Sequence, residues 1–170
     1  GTLKGRPMLG EGISMAVEAG ADLEGHYTME ISAPKLKSNS PISQIVLGKP
    51  YNVWFNAFGK RFADEGIVYN FPVSANACMR QPGSKCWVVF TQKMLEKTLE
   101  DGMDIIEFIH TKEGAADRID EDMEKLIGEG VVYKTDDVYS IAEFIGCDPE
   151  TFGKEVDTYN DACLHGSDRI

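Results

Sequence analysis

The second half of the chain limits its fold most, because it carries four amphipathic helical patterns in succession. Thr91 is placed to cap the first helix. Asp148 is placed to cap the last one, with Pro149 in a first turn where its missing N–H costs nothing. A glycine stands at or just after the end of each of the first three helices: Gly102, Gly128 and Gly146. The buried face predicted for the last helix consists of Phe152, Val156, Tyr159 and Cys163.

The first half of the chain carries the strand signals. The segments Tyr51 to Phe55 and Lys85 to Phe90 are rich in aromatic and β-branched residues, which predicts two strands. A short helix is predicted over residues 10–20, and another over Phe71 to Arg80, closed by a turn at Gln81-Pro82-Gly83. Because short strands occupy the first half and helices the second, the sequence predicts an α+β fold rather than alternating βαβ units.

The formal net charge of −11 excludes several classes of partner. Nucleic-acid binding needs a surplus of Lys and Arg on one face, and anionic membranes repel an acidic surface, so neither partner is expected. No apolar run approaches the roughly 18 residues of a membrane span, and no basic segment followed by an apolar stretch opens the chain. We therefore expect a soluble segment without a membrane-spanning helix, favour the cytoplasm for it, and leave an exported parent protein open.

The sequence lacks the common motifs for metal binding and nucleotide binding. The cysteines and histidines lack metal-ligand spacing, so no metal site is predicted. The cysteine spacings do not fit a small disulfide scaffold either, which favours free, mostly buried thiols in a reducing compartment. Gly10-Glu11-Gly12 begins the G-x-G of a dinucleotide fingerprint, but Met15 stands where the third glycine should be and no strand precedes it. The four cysteines are Cys78, Cys86, Cys147 and Cys163.

Three segments form an ordered set along the chain. They are Gly10-Glu11-Gly12-x-x-Met15-Ala16-x-x-x-Gly20-Ala21, then Asn56-x-x-Gly59-Lys60-Arg61-Phe62-x-x-Glu65, then Gly146-x-Asp148-Pro149-Glu150 followed by Val156, Tyr159-Asn160, Gly166 and Asp168. In this order and at these distances the set resembles landmarks of the fumarate reductase, flavocytochrome c and succinate dehydrogenase flavoprotein family of FAD-dependent oxidoreductases. A chance match would have to place all three segments in register.

The resemblance implies that the chain is a fragment of a larger flavoprotein, its capping domain, which closes as a lid over substrate and flavin. Residues 1–25 would form the junction with the FAD-binding domain of the same parent chain, and residues 26–170 the capping domain. Glu11 and Gly12 would contact FAD in the full-length parent, where glycine lets the backbone approach a nucleotide closely. We expect this fragment not to bind FAD tightly and to be inactive alone.

Residues that bind substrate in the family are replaced in this chain. Ala33-Pro34-Lys35 stands in place of a His-Pro-Thr segment that binds a carboxylate. Ser43 to Gly48 stands in place of a Thr-Glu-Ala-Val-Arg-Gly segment, so that Gln44 replaces its Glu and Leu47 its Arg. Tyr69-Asn70 stands, one residue out of register, in the place of an Arg-Asp pair whose arginine protonates the substrate.

These replacements predict a small-molecule substrate other than fumarate, because a dicarboxylate needs fixed cations. The expected reaction reduces or forms a carbon–carbon double bond in a less charged, bulkier molecule. Tyr69 is the candidate acid or base, since a phenol can serve when its pKa is lowered. The alternative for Tyr69 is an aromatic side chain packed beside Phe71. The candidate substrate-binding residues are Ser43, Gln44 and Asn70.

Two other functions stay open at this level. A flavin-free binding or interaction domain could share the lid fold, and the loss of the proton-route residues supports it. The chain could also be an unrelated acidic α+β domain, but the three ordered matches would then be a coincidence. A G-x-G-x-x-G strand–turn–helix upstream in the parent gene, with a glycine-rich flavin-contacting segment downstream, would favour the enzyme.

Overall fold

The chain divides into two compact units, Gly1–Glu30 and Ile31–Ile170, in its structure, which is a computed structural model. The residues that the structure describes are 10–23, 36, 46, 49–101 and 116–170.

The described part of the first unit contains one helix, α1 (Glu11–Glu18). Gly10 precedes it with φ 88° and Gly20 follows it with φ 98°, and both lie in the left-handed region that glycine adopts without strain. The helix predicted over residues 10–20 is therefore confirmed. No residue of α1 is buried, so this helix forms no core of its own. Its exposed large apolar side chains are Ile13, Met15 and Val17.

The second unit joins a two-stranded sheet to helices. The strands β1 (Val53–Phe55) and β2 (Trp87–Val89) pair antiparallel, with Trp54 opposite Val88. Its described α-helices are α2 (Phe71–Met79), α3 (Gln92–Asp101), α4 (Ile119–Gly128), α5 (Ile141–Ile145) and α6 (Pro149–His165). Short 3-10 helices lie at Glu65–Tyr69, Pro82–Ser84, Ala116–Arg118 and Val138–Ser140. Helix exceeds strand, and the arrangement is consistent with the predicted α+β class.

The helix ends predicted from the sequence are confirmed at three places. The Thr91 hydroxyl accepts a hydrogen bond from the Met94 amide at 3.2 Å. The Asp148 carboxylate accepts one from the Thr151 amide at 2.8 Å, and each contact satisfies an amide that the helix leaves unpaired. Gly146 ends α5 with φ 80°. Because these contacts span only three residues, the local sequence is enough to predict them.

The sheet lies between two hydrophobic cores. Successive side chains of a strand point to opposite faces, so Val88 packs against the first core while Trp87 and Val89 pack against the second. The buried residues of the first core are Val46, Leu95, Ile119 and Leu126. Those of the second core are Val53, Phe55, Ala142, Ile145 and Phe152. The second core therefore packs β1 against the two C-terminal helices.

The prediction that the cysteines are mostly buried is wrong. Cys163 is exposed, and only Cys78 among the four cysteines is buried. The buried residues of α6 are Phe152 and Gly153, near its start. The helix thus extends past the edge of the second core, so Cys163 reaches solvent although its spacing continues the apolar face.

Among the helices that the structure describes, none combines the length and the apolar character that crossing a bilayer requires.

Candidate functional site

Tyr69 and Asn70 lie where the 3-10 helix Glu65–Tyr69 meets the start of α2. Asn70 caps α2, because its side-chain oxygen accepts a hydrogen bond from the Val73 amide at 3.2 Å. Tyr69 is 59% exposed, so the phenol is open to a ligand instead of being packed in the core. The role of Asn70 as a substrate ligand stays a prediction, and its oxygen already has a structural partner.

Of the remaining predicted site residues, the structure describes two and leaves two outside its described residues. Ser43 and Gln44 lie outside the described residues. Glu11 and Gly12 belong to the first turn of α1, in the first unit. A Cβ added at Gly12 would meet no atom within 4 Å, so nothing in the described chain crowds the backbone there.

Arg61 and Glu65, which precede Tyr69 in the chain, are the buried members of an ion-pair network. This network, the Arg61 cluster, also contains Tyr159 and Asp168. The Arg61 guanidinium donates two hydrogen bonds to Glu65, at 3.1 and 2.6 Å. It donates two more to Asp168, at 3.1 and 2.9 Å, and lies 4.8 Å from the centre of the Tyr159 ring. Both contacts with carboxylates are bidentate, the geometry that the planar guanidinium fits best.

The Arg61 cluster joins two of the three segments recognised in the sequence. Arg61 and Glu65 belong to the second segment, whereas Asp168 ends the third and lies 107 residues further along the chain. The local Arg61–Glu65 pair follows from the sequence, since the two residues are four apart. The contact with Asp168 was not predicted, because no local pattern links residues 107 positions apart.

Contacts within the Arg61 cluster favour the charged forms of Arg61 and Asp168. Burial opposes the charge of Arg61, but its hydrogen bonds to Glu65 and Asp168 outweigh burial and raise the pKa of Arg61 above its ordinary value. The Arg61 guanidinium holds the pKa of Asp168 below its usual range. Burial, followed by the contact with Cys163, raises the pKa of Tyr159 to about 12. Tyr159 is therefore a neutral phenol near neutral pH, and a poor candidate for an acid or base.

The same cluster fixes the start of the segment that carries Tyr69. Glu65 is 4% exposed, begins the 3-10 helix, and also accepts a hydrogen bond from the Trp54 amide of β1 at 3.1 Å. Tyr69 ends this helix four residues later, roughly 8 Å along its axis at the usual rise of a 3-10 helix. The exposed phenol is thus attached to a short helix whose other end is tied to the sheet.

A tight turn before Arg61 adds a second contact between the same two segments. The Asn56 side chain accepts hydrogen bonds from the Phe58 amide at 2.9 Å and the Lys60 amide at 3.2 Å. Gly59 has φ 71°, and a Cβ added there would lie 2.7 Å from the Cys147 sulfur. Only glycine combines this backbone conformation with so close an approach. The turn therefore packs against the start of α6.

A shallow depression of about 400 Å³ lies at the C-terminal end of α6. None of the described site residues predicted from the sequence lines it, and its walls carry both signs of charge. Its lining residues are Asp157, Thr158, Asp161, Ala162, Ser167 and Arg169. Over the described residues, no three His, Cys, Asp or Glu side chains are grouped as metal ligands.

Asp168 predicts a pH dependence of stability. Its pKa is lower in the folded chain than in the unfolded one, so its contribution is present above the unfolded value and is lost as the pH falls through the folded value. We expect Asp168→Asn to cost up to about 1 kcal/mol of unfolding free energy at pH 7, because the side chain is 38% exposed. The difference between wild type and variant should shrink below about pH 4.

Urea unfolding at a series of pH values measures this difference. Asp136→Asn, on an exposed aspartate, is the matched control and should show no comparable pH dependence. A constant difference between Asp168→Asn and wild type from pH 7 to pH 3 would contradict the ionic role of Asp168.

Comparisons with known proteins agree with this structure in fold. No family model matches the chain. Over 94% of its length it is 26% identical to a vinyl phenol reductase of Lactiplantibacillus plantarum. Its fold is similar to that of a flavocytochrome c3 fumarate reductase in the open conformation, with a TM-score of 0.51 and 21% identity over 95% of this chain. The predicted resemblance to the fumarate reductase and flavocytochrome c family is thereby confirmed.

The chain is shorter than both of these proteins. It spans 34% of the vinyl phenol reductase and 24% of the flavocytochrome chain. The chain therefore aligns with only a part of each of these two proteins.

Proposed function

We propose that this chain, which shares its fold with a part of a fumarate reductase flavoprotein, is the substrate-capping part of an FAD-dependent reductase of carbon–carbon double bonds. The observation that carries the proposal is the position of Tyr69. An exposed phenol ends a 3-10 helix whose first residue is held by the buried Arg61 cluster. The resemblance assigns this position to the group that protonates the substrate.

The substrate class follows from charge. The chain has no arginine between Arg61 and Arg80, and Arg61 itself is paired with the carboxylates of Glu65 and Asp168. A carboxylate substrate at Tyr69 would therefore find no arginine from this segment to pair with, and an unpaired carboxylate is costly to remove from water. A vinyl phenol has no carboxylate. We infer that the parent protein reduces the vinyl group of an uncharged, phenol-like substrate.

In this reaction the chain handles the proton. When bound in the parent and reduced by an electron donor, FAD would supply a hydride to one carbon of the double bond. Tyr69 would donate its phenolic proton to the neighbouring carbon and recover a proton from solvent, to which its exposure gives access. The Arg61 cluster would act as a positioning group, because it fixes the helix that carries Tyr69 without touching the substrate.

The described residues of the first unit are suited to contact FAD or the FAD-binding domain. Gly10 and Gly12 have no atom within 4 Å of an added Cβ, so a nucleotide or a neighbouring domain can approach this backbone closely. The exposed apolar residues of α1 supply a surface that a second domain would bury, among them Met15 at 69% exposure. We infer that residues 1–25 form the junction with the FAD-binding domain and residues 26–170 the cap.

The substrate assignment is tested by anaerobic turnover of the parent flavoprotein with a reduced viologen as electron donor. The substrates are 4-vinylphenol, fumarate, and 4-hydroxycinnamate as the matched aromatic carboxylate. We expect kcat/KM for 4-vinylphenol to exceed that for either carboxylate by roughly 30-fold or more, because about 2 kcal/mol is the lower cost of leaving a buried charge unpaired.

Any other result would contradict one part of the proposal. Preference for fumarate would overturn the substrate class and leave the flavoprotein assignment intact. If the parent is folded but binds no FAD, its assignment as an FAD-dependent enzyme is wrong, and a flavin-free interaction domain is favoured. An FAD titration of the 170-residue chain itself should show no tight binding, and stoichiometric binding would mean that the flavin site lies within this chain.

A further inference from the structure

Two cysteines that lie eight residues apart in the chain are neighbours in the structure. The sulfurs of Cys78, near the end of α2, and Cys86, just before β2, lie 3.4 Å apart. Cys78 is buried and Cys86 is half-buried. Disulfide bonding needs the two residues to face each other, and these thiols already share a hydrogen bond.

The chain reversal between the two cysteines explains why they meet. Gly83 has φ 70° and Ser84 has φ 52°, so two successive residues adopt the left-handed conformation that turns the chain back sharply. Ser84 is a non-glycine residue in this region, and it is held there by its hydroxyl, which donates a hydrogen bond to the Met79 carbonyl at 3.1 Å. The reversal is thus specified by contacts of its own.

The turn is also tied to the rest of the second unit. Gln81 donates a side-chain hydrogen bond to the Ala77 carbonyl at 3.1 Å and accepts one from the Asn56 amide group at 3.0 Å. Asn56 organises the turn that precedes Arg61. The separation of the two sulfurs is therefore maintained by a network on both sides of the reversal, and does not depend on a free loop.

We propose that Cys78 and Cys86 form a reversible dithiol–disulfide site. The two thiols share a hydrogen bond, so a thiolate formed on one sulfur is stabilised by the S–H of the other. The residues between them from Pro82 to Lys85 are exposed, which gives a small disulfide access to the half-buried Cys86.

The oxidant is a low-molecular-weight disulfide, for which oxidised glutathione is the probe. The Cys86 thiolate attacks one glutathione sulfur, releases one reduced glutathione and forms a mixed disulfide. The Cys78 thiolate then attacks the Cys86 sulfur, forms the protein disulfide and expels a second reduced glutathione. The two protein thiols lose two electrons and two protons, and the oxidant is reduced to two thiols.

The test uses the folded 170-residue chain equilibrated with oxidised and reduced glutathione, then alkylated and digested for mass spectrometry. We expect one intramolecular link, between the peptides that contain Cys78 and Cys86, and a rise in Tm of roughly 5–10 °C for closing so short a loop. Cys147→Ser and Cys163→Ser should form the same link. Cys86→Ser should lose it, and this variant changes a half-buried side chain, so its fold should survive.

Two results would overturn the proposal. One is glutathione attached to single cysteines without a link between Cys78 and Cys86. The other is a link that forms only after the chain is unfolded in urea, because the native positions of the two sulfurs would then have no part in it.

Discussion

Replacement of Arg61 by leucine is expected to remove about 3–5 kcal/mol of unfolding free energy, which is a large part of the stability of a typical domain. The Glu65 side chain is 4% exposed and would be left as a buried acid without its cation. The link to Asp168 would be lost as well. Urea unfolding at pH 7, followed by circular dichroism, measures the effect.

Two further variants separate the lost ion pair from the lost packing. Arg61→Leu combined with Glu65→Leu should recover part of the loss, because no uncompensated charge then remains buried. Recovery should be incomplete, since the Trp54 amide loses its acceptor. Arg80→Leu, on an exposed arginine, is the matched control and should change stability by no more than about 0.5 kcal/mol. A loss below 1 kcal/mol for Arg61→Leu would mean that the cluster does not hold the fold together.

Replacement of Tyr69 by phenylalanine in the parent flavoprotein is expected to lower kcat by roughly 10²–10⁴-fold, the usual contribution of a general acid. The ring is kept and only the proton donor is removed, so KM for 4-vinylphenol and the FAD content should change little. Tyr69 is 59% exposed, so the stability of this chain should also be unaffected. Steady-state turnover measures kcat and KM, and the flavin absorbance per protein measures the FAD content.

Tyr139→Phe is the matched control for this variant. Tyr139 is 49% exposed, and its hydroxyl donates a hydrogen bond to Asp157 on α6 at 3.1 Å, in a different part of the second unit. Turnover of Tyr139→Phe should equal that of the wild type. Turnover of Tyr69→Phe at the wild-type rate would remove Tyr69 from the mechanism, and the proton would then have to come from elsewhere in the parent.

Features with causes a few residues away could be predicted from the sequence. Asp148 bonds an amide three residues later, and Gly146 adopts a positive φ at a helix end, so both roles follow from neighbouring residues. Arg61 and Glu65 are four residues apart, so their pairing is also a local contact. Helix spacing also identified Phe152, which is fully buried. It failed for Cys163, because spacing does not say where along a helix the neighbouring core ends.

The candidate site could be predicted only in outline. Tyr69 was singled out by its place in a motif, but its exposure depends on how the 3-10 helix leaves the sheet. Ser43 and Gln44 remain predictions, since they lie outside the described residues.

Caps, helix spacing and turn residues predicted the helices and strands of this chain from its sequence. Three ordered motifs predicted its family resemblance. Only the folded chain joined Arg61 to Asp168 across 107 residues and brought the sulfur of Cys78 to that of Cys86. The physical reason is the difference in range. A cap or a turn is selected by the backbone conformations of adjacent residues. The meeting of distant side chains depends on the path of every segment between them, which packing of the cores decides.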